Sequence, residues 1–226
     1  MPDLSLVIGN KNYSSWSLRP WLLMRHFKIP FRETRIPLCQ ETTKKTLEPL
    51  SPTLKVPVLI HKNLKVWDSL AICEYISESF LSGNAWPEEA EARATARSIS
   101  AEMHSGFFNI RNQMPMNCRK RFESLEISPE ASSEVDRVEE IWTQSRGKYG
   151  TSGPWLFGKF TIADCMFAPV ALRLITYGIE LNDICSKYVN TVYTHPAIVD
   201  WVQAANLETE IIPALEAHAP QCNDPD

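Results

Sequence analysis

The chain lacks the signals that would place it outside the ordinary globular proteins. Its 226 residues carry a formal net charge of -4, and lysine and arginine are scattered without a clustered stripe, so it has no field that would attract a nucleic-acid backbone or an anionic membrane. No apolar run is long enough to cross a bilayer, and the first residues show no signal-peptide pattern. We expect a soluble, cytoplasmic protein that binds neither nucleic acid nor membranes.

Motifs for metal ligands and disulfides are missing as well. The six cysteines are far apart, no Cys-x-x-Cys pair occurs, and the five histidines show neither metal-ligand nor catalytic-triad spacing. A chain of this length can bury a core without disulfides. We therefore expect reduced cysteines that serve mostly in packing, and no metal.

The spacing of the apolar residues changes along the chain. In the first third, short apolar runs alternate with helical spacing in the order strand, helix, strand, helix, strand, strand, helix. After a polar break at residues 82–84, only helical spacing remains. We predict an α/β domain with the order βαβαββα over residues 1–81, a linker over 82–88 and an all-α domain over 89–226.

The predicted strands cover residues 4–9, 31–38, 55–60 and 64–67, and the predicted helices include 17–27, 42–50, 182–190 and 196–216. The start of the first helix depends on Pro20, because a proline is tolerated in a first turn, where backbone N–H groups have no partner within the helix. Ser17 as N-cap places Pro20 at the third helical position. A start at Ser15 instead leaves Pro20 deeper and predicts a kink.

A second helical pattern runs through the middle of the chain. Apolar residues from Ala96 to Met114 repeat at steps of three and four, which predicts one long helix. This helix would carry both His104 and Arg111, with Phe107 in the core. We expect His104 and Arg111 to be candidates for a cleft beside the helix.

Four short strings, in this order and on these predicted elements, resemble the cytosolic glutathione transferases. They are Ser14-Ser15-Trp16-Ser17-Leu18-Arg19, Lys55-Val56-Pro57-Val58-Leu59, Asp68-Ser69-Leu70-Ala71-Ile72 and Phe160-Thr161-Ile162-Ala163-Asp164. The resemblance covers nearly the whole chain. It implies a thioredoxin-like N-terminal domain with a mixed sheet, an all-α C-terminal domain, glutathione as co-substrate and a homodimer.

Ser14 is the candidate for the chemistry. A thiol with a pKa of about 8.5 is mostly protonated at neutral pH, and only the thiolate is a good nucleophile. Lowering that pKa by ~2 units takes about 2.7 kcal/mol. A hydroxyl hydrogen bond to a charged group supplies about 1.5–3 kcal/mol, and a helix N-terminus adds about 0.3–1 kcal/mol. One serine at the start of a helix therefore suffices, although serines after a strand are usually only turn and capping residues.

Arg19 selects among the serines. In zeta-like members of the family the active serine lies five residues before the corresponding arginine, which implies Ser14 as the catalytic residue. Ser15 matches the theta-like members and is the second choice. The zeta pattern Ser-Ser-Cys has Trp16 at its third position here, which argues against maleylacetoacetate isomerisation. An omega-like activity would need a cysteine that this turn lacks.

The resemblance also implies a set of glutathione-binding residues. Val56, before a cis Pro57, would pair its backbone with the cysteinyl part of glutathione, and Lys55 would reach the glycyl carboxylate. Asp68 would bind the γ-glutamyl ammonium, and Ser69, with the helix N-terminal amides, the γ-glutamyl carboxylate. As patterns alone, a proline at a strand start and an Asp-Ser helix cap are also ordinary structural features.

The candidates for the pocket of an apolar co-substrate are Tyr13, Trp16, Phe108 and Arg111. Thr161 and Asp164 have the spacing of a capping box that opens a helix running toward Tyr177, a structural role without chemistry. We expect a detoxifying glutathione transferase. The alternatives are a glutathione-dependent isomerase, such as a maleylacetoacetate isomerase, or a dehalogenase, and a non-catalytic interaction module with the same fold.

Overall fold

The first half of the molecule, in a computed structural model that describes residues 3–122 and 126–216, follows the predicted βαβαββα order. Its elements are β1 (Leu4–Ile8), α1 (Ser15–His26), β2 (Arg32–Arg35), α2 (Thr43–Leu47), β3 (Val58–His61), β4 (Leu64–Trp67) and α3 (Ser69–Leu81). The strands lie in the order β2-β1-β3-β4. β1 pairs with β2 in parallel and with β3 antiparallel, and β3 pairs antiparallel with β4, so the sheet is mixed as predicted.

The second half is helical. Its elements are α4 (Ala90–Ser105), α5 (Phe108–Gln113), α6 (Pro129–Tyr149), α7 (Ile162–Thr176), α8 (Asp183–Tyr193), α9 (Pro196–Asn206) and a short 3-10 helix over Pro213–Leu215. The fold class is therefore the predicted one, a four-stranded α/β half followed by a helical half. The prediction of one helix over 196–216 is wrong, because α9 ends at Asn206.

The prediction of one long helix from Ala96 to Met114 is also wrong. The chain leaves α4 at Gly106, and Phe107 adopts a left-handed backbone with φ 61° before α5 begins. Arg111 stabilises this break from α5, because its guanidinium donates to the carbonyl of Met103 at 2.5 Å and to that of Gly106 at 3.1 Å. His104 and Arg111 thus belong to two different helices.

The first helix starts earlier than the favoured prediction. Ser14, not Ser17, is the N-cap of α1, and its hydroxyl oxygen accepts from the Ser17 N–H at 3.4 Å. Pro20 consequently lies inside the helix, where it removes the hydrogen bond to the carbonyl four residues earlier. Ser17 is used differently, since its hydroxyl oxygen accepts from the Gly9 N–H at 3.1 Å and ties the helix to the end of β1.

The core joins the two halves through α1, which packs against both α3 and α7. The capping box at the start of α7 is confirmed: both the Thr161 and Asp164 halves of it are present. Asp164 is buried and also accepts from the Leu156 N–H and the Tyr188 hydroxyl. Burial raises the pKa of this carboxyl to about 6 although these donors lower it.

The buried cysteines within the described ranges, Cys73, Cys118, Cys165 and Cys185, form no disulfides. Cys222 lies outside the described residues. No helix in those ranges is both long and apolar enough to span a membrane.

Candidate functional site

One cavity of about 300 Å³ collects most of the predicted site residues where the two halves meet. The N-terminal half provides the start of α1, the segment before β3 and the start of α3, and α4 provides one side chain from the helical half. The lining residues are Trp16, Thr53, Lys55, Val56, Pro57, Trp67, Asp68, Ser69 and His104. All five predicted glutathione-binding positions therefore border the same space.

The segment before β3 has the predicted backbone. The Val56–Pro57 peptide bond is cis. Val56 is buried, whereas Lys55 is exposed at the rim of the cavity. Ser51 fixes this segment, since its hydroxyl donates to the Lys55 carbonyl at 2.7 Å and its oxygen accepts from the Lys55 N–H at 3.1 Å.

Asp68 is the N-cap of α3 and has an unusual backbone, with φ 73° and ψ 132°. One carboxylate oxygen accepts from the N–H groups of Leu70 and Ala71, and the other lies 3.1 Å from Nε2 of His104. Burial raises the pKa of Asp68, but the hydrogen bonds from His104 and the two amides outweigh it and hold that pKa below its usual range. The carboxylate is therefore kept charged at the edge of the cavity.

The same contacts correct one expectation. We expected the N-terminal amides of α3 to be available for a substrate carboxylate, but Asp68 occupies those of Leu70 and Ala71. The Ser69 hydroxyl is left, and its oxygen accepts from Nη1 of Arg19 at 3.4 Å. Because that oxygen receives a proton from Arg19, its own hydrogen is available to a ligand.

Arg19 is completely buried below Ser69 and Trp16. Burial lowers the pKa of its guanidinium well below the usual range, and the positive charges of Arg111 and Arg173 lower it further. The Trp16 ring lies 4.2 Å from the Arg19 guanidinium carbon and 4.6 Å from that of Arg111. His104 meets the same ring edge-on at 5.2 Å.

The serines at the start of α1, Ser14 and Ser15, are buried. Ser14 has no exposed surface, and its hydroxyl donates to the Ser17 hydroxyl at 2.8 Å. Ser15 is buried on another side, where its hydroxyl oxygen accepts from Arg173 at 3.3 Å. Of this turn, Trp16 is among the described residues that line the cavity, whereas Ser14 and Ser15 are not.

Side chains that are distant in sequence hold the turn that precedes Ser14. The Glu208 carboxylate accepts from the N–H groups of Lys11 and Asn12 at 2.7 and 3.0 Å, across 197 and 196 residues of sequence. Arg119 joins the same region, since it donates to the Glu208 carbonyl at 2.6 Å and to the Tyr13 hydroxyl at 2.7 Å. The turn is thus fixed from the helical half.

Three of the four predicted co-substrate residues do not line the cavity. Tyr13 is buried against an apolar cluster with Leu38 and Ile212, because its hydroxyl hydrogen-bonds to Glu216. Phe108 is 65% exposed at the start of α5, and Arg111 is buried behind Trp16 because it caps the end of α4. Trp16 is the member of this set that borders the cavity.

Sequence reasoning missed Thr53 and Trp67 as cavity residues. A signal existed for Trp67, which is the last residue of β4 and directly precedes Asp68. Within the described ranges, no three His, Cys, Asp or Glu side chains are grouped so that they could hold a metal ion.

Comparison with known proteins finds a family match for the N-terminal part of the chain and a distant relative of most of it. Residues 13–79 match the model of the glutathione S-transferase N-terminal domain. A probable maleylacetoacetate isomerase of Caenorhabditis elegans is 25% identical over 172 residues, which cover 74% of this chain and 77% of that protein.

Solved structures of similar fold cover nearly the whole chain. A glutathione transferase homologue from Burkholderia, solved with bound glutathione, aligns with a TM-score of 0.67 at 21% identity over 89% of this chain and 97% of its own. A bacterial maleyl pyruvate isomerase of the zeta class aligns with a TM-score of 0.71 at 19% identity, over 91% of this chain and 100% of its own. The predicted resemblance to the cytosolic glutathione transferases is thereby confirmed: residues 13–79 match their N-terminal domain family, and the chain has their fold.

Proposed function

We propose that this protein is a glutathione transferase, which binds glutathione in the cavity between α1, the segment before β3 and the start of α3. It would conjugate the thiolate to an apolar electrophile. The observation that carries the proposal is that Lys55, Val56, Pro57, Asp68 and Ser69 all border one cavity. The Lys55 ammonium, the Asp68 carboxylate and the Ser69 hydroxyl are the kinds of group that a peptide with an ammonium and two carboxylates requires.

The orientation of glutathione follows from the charges. The Asp68 carboxylate, whose pKa is held low, accepts the γ-glutamyl ammonium. The Ser69 hydroxyl donates to the γ-glutamyl carboxylate, with the buried positive charge of Arg19 behind it. The Val56 backbone pairs with the cysteinyl residue, and Lys55 at the rim binds the glycyl carboxylate. This orientation directs the thiol toward the N-terminus of α1.

We propose Ser14 as the donor that stabilises the thiolate. In the free protein its proton is already used by Ser17, so binding exchanges a neutral hydrogen bond of about 0.5–1.5 kcal/mol for a charged one of about 1.5–3 kcal/mol. The net gain is about 1 kcal/mol, which is smaller than the whole hydroxyl term. The N-terminus of α1 adds about 0.3–1 kcal/mol. Together these lower the thiol pKa by roughly one unit.

The test compares two neighbouring serines. In Ser14→Ala we expect kcat for a generic electrophile to fall about five-fold, with glutathione affinity nearly unchanged and the pKa of the bound thiol raised by roughly 0.7 unit, because about 1 kcal/mol is lost. Ser15→Ala is the matched control, because its hydroxyl faces Arg173 rather than the cavity. Thiolate absorbance against pH measures the thiol pKa, and calorimetry measures affinity. Loss of turnover in Ser15→Ala with retention in Ser14→Ala would reverse the assignment.

A second candidate is a glutathione-dependent isomerase of maleylacetoacetate or maleylpyruvate. The observations that favour it are the C. elegans relative named as a maleylacetoacetate isomerase and the maleyl pyruvate isomerase structure. Trp16, in place of the cysteine of the zeta pattern, argues for the transferase. Assays with the two maleyl substrates and with a chlorodinitrobenzene separate the candidates.

A cytoplasmic homodimer is part of the same proposal, and light scattering on the purified protein tests the dimer. Should the protein neither bind glutathione in calorimetry nor turn over any of these substrates, a non-catalytic interaction module would be the better interpretation. The full set of ionic and hydroxyl groups around one cavity supports an enzyme instead, because a scaffold has no use for it.

A further inference from the structure

Three arginines from three helices lie buried close to one another beside the cavity. They are Arg19 of α1, Arg111 of α5 and Arg173 of α7, and they are 0, 8 and 3% exposed. Burial lowers the pKa of Arg19, and the positive charges of Arg111 and Arg173 lower it further. Buried positive charge is costly unless hydrogen bonds or anions compensate it.

Arg19 keeps unused hydrogen-bond donors. Nη1 donates to Ser69, while Nε and Nη2 are buried and find no hydrogen-bond acceptor among the described residues. A guanidinium presents its N–H groups in a planar fork that fits a carboxylate or another oxyanion. The cluster therefore has the charge and the donors of an anion site.

Trp16 separates this cluster from the cavity. Its ring lies 4.2 Å from the Arg19 guanidinium carbon and 4.6 Å from that of Arg111, within the range of cation–π contact. Trp16 borders the cavity, whereas no arginine is among the described residues that do. An incoming co-substrate meets an aromatic surface in place of the guanidinium groups.

We propose that Trp16 is a specificity-determining residue, whose indole covers a latent anion site and so selects neutral, apolar electrophiles over electrophiles that carry a carboxylate. This selection rests on the proposed transferase function. The ring stabilises the buried charge by its π face and at the same time denies that charge to the co-substrate. Removal of the ring should uncover Arg19 and Arg111 to the cavity.

The first experiment uses inorganic sulfate and needs no enzymatic activity. We expect sulfate to raise the Tm of Trp16→Ala by about 3 °C at roughly ten times its Kd, but not that of the wild type. The double variant Trp16→Ala/Arg111→Met should lose this gain. Trp67→Ala is the matched control, since it also removes an indole from the cavity lining. Equal sulfate stabilisation in the wild type and Trp16→Ala would overturn the inference.

The second experiment compares two electrophiles that differ in one group, chlorodinitrobenzene and chlorodinitrobenzoate. In both, the glutathione sulfur bonds to the ring carbon and chloride leaves with the electron pair. We expect Trp16→Ala to raise the kcat/KM ratio of benzoate to benzene at least about ten-fold, and Trp16→Phe to leave it within about two-fold. An unchanged ratio in Trp16→Ala would overturn the inference.

Trp16→Val serves in both experiments if Trp16→Ala does not fold. Absence of turnover in the wild type would refute the transferase proposal alone, because the sulfate experiment still decides whether Trp16 covers an anion site. A sulfate effect that survives Arg111→Met and Arg19→Gln, each combined with Trp16→Ala, would refute the inference while leaving the transferase intact.

Discussion

Two helix N-termini meet at the cavity, and they are built in different ways. At α3, the cap Asp68 is partly exposed and keeps one carboxylate oxygen toward the cavity side, next to His104. At α1, the cap Ser14 is fully buried and its proton is used by Ser17. The end proposed for binding is therefore preformed, whereas the end proposed for catalysis has to exchange a hydrogen bond when the substrate arrives.

The largest effect on this comparison is expected from a substitution of Asp68. Asp68→Asn retains an oxygen that can cap α3 but removes the negative charge, and we expect glutathione affinity to fall about ten- to hundred-fold, because a charged hydrogen bond is worth about 1.5–3 kcal/mol. Calorimetry measures the effect. Glu89→Gln is the control, since Glu89 caps α4 through two amides in the same way but outside the cavity lining. Equal losses in both variants would mean that helix capping, not binding, was measured.

His104→Leu sharpens the comparison with a smaller effect. The low pKa of Asp68 depends in part on His104, so removal of that donor should raise it. Binding of the ammonium requires the ionised carboxylate and is lost as the pH falls through the pKa of Asp68. We expect affinity at neutral pH to stay nearly unchanged, because the carboxylate remains ionised there, and the acid limb of the binding profile to move to higher pH. A profile that stays at the wild-type position would remove His104 from this role.

Acid also acts on the fold, and this effect must be separated from binding. His26 at the end of α1 is stacked on Phe160 and hydrogen-bonded to His195, and burial followed by the charge of His195 lowers its pKa to about 4 from about 6.5. The unfolded chain therefore takes up this proton first. The contribution of His26 is fully present above about pH 6.5 and is lost as the pH falls toward 4.

His26→Phe removes that contribution. Asp164, whose pKa is raised to about 6, gains a proton in the folded state over the same range and opposes the trend. The difference between wild type and His26→Phe isolates the histidine: the unfolding free energy of the variant should fall less between pH 6.5 and 4. Denaturant titrations at several pH values measure it. Parallel curves would show that His26 does not titrate with folding.

The sequence predicted well the features that local interactions determine, and less well those that depend on contacts between distant residues. Local patterns determined the element order and the capping box at Thr161 and Asp164, whereas the cis bond before Pro57 was implied by the family resemblance. The helix α1 begins at the alternative start, Ser15, and the favoured start was wrong because the preference of proline for a first turn was weighed without the contact between Ser17 and Gly9.

Side-chain burial was harder to predict, since it depends on contacts between distant residues. Arg111 was expected in the co-substrate pocket, but its guanidinium caps the end of α4, where a left-handed Phe107 interrupts the helix. Tyr13 was also expected in that pocket, but its hydroxyl donates to the carboxylate of Glu216, which lies 203 residues further along the chain. No spacing rule within one segment contains that information.

The carboxylate of Glu208 has a consequence for how such proteins can be recombined. The turn that leads to Ser14 takes two of its amide partners from a side chain at the far end of the sequence. A chimera that joined this N-terminal half to the helical half of a relative would contain Ser14 but would lack the Glu208 carboxylate that holds the turn before it. Swapping of halves between relatives is therefore restricted to donors that bring an acidic residue to this place.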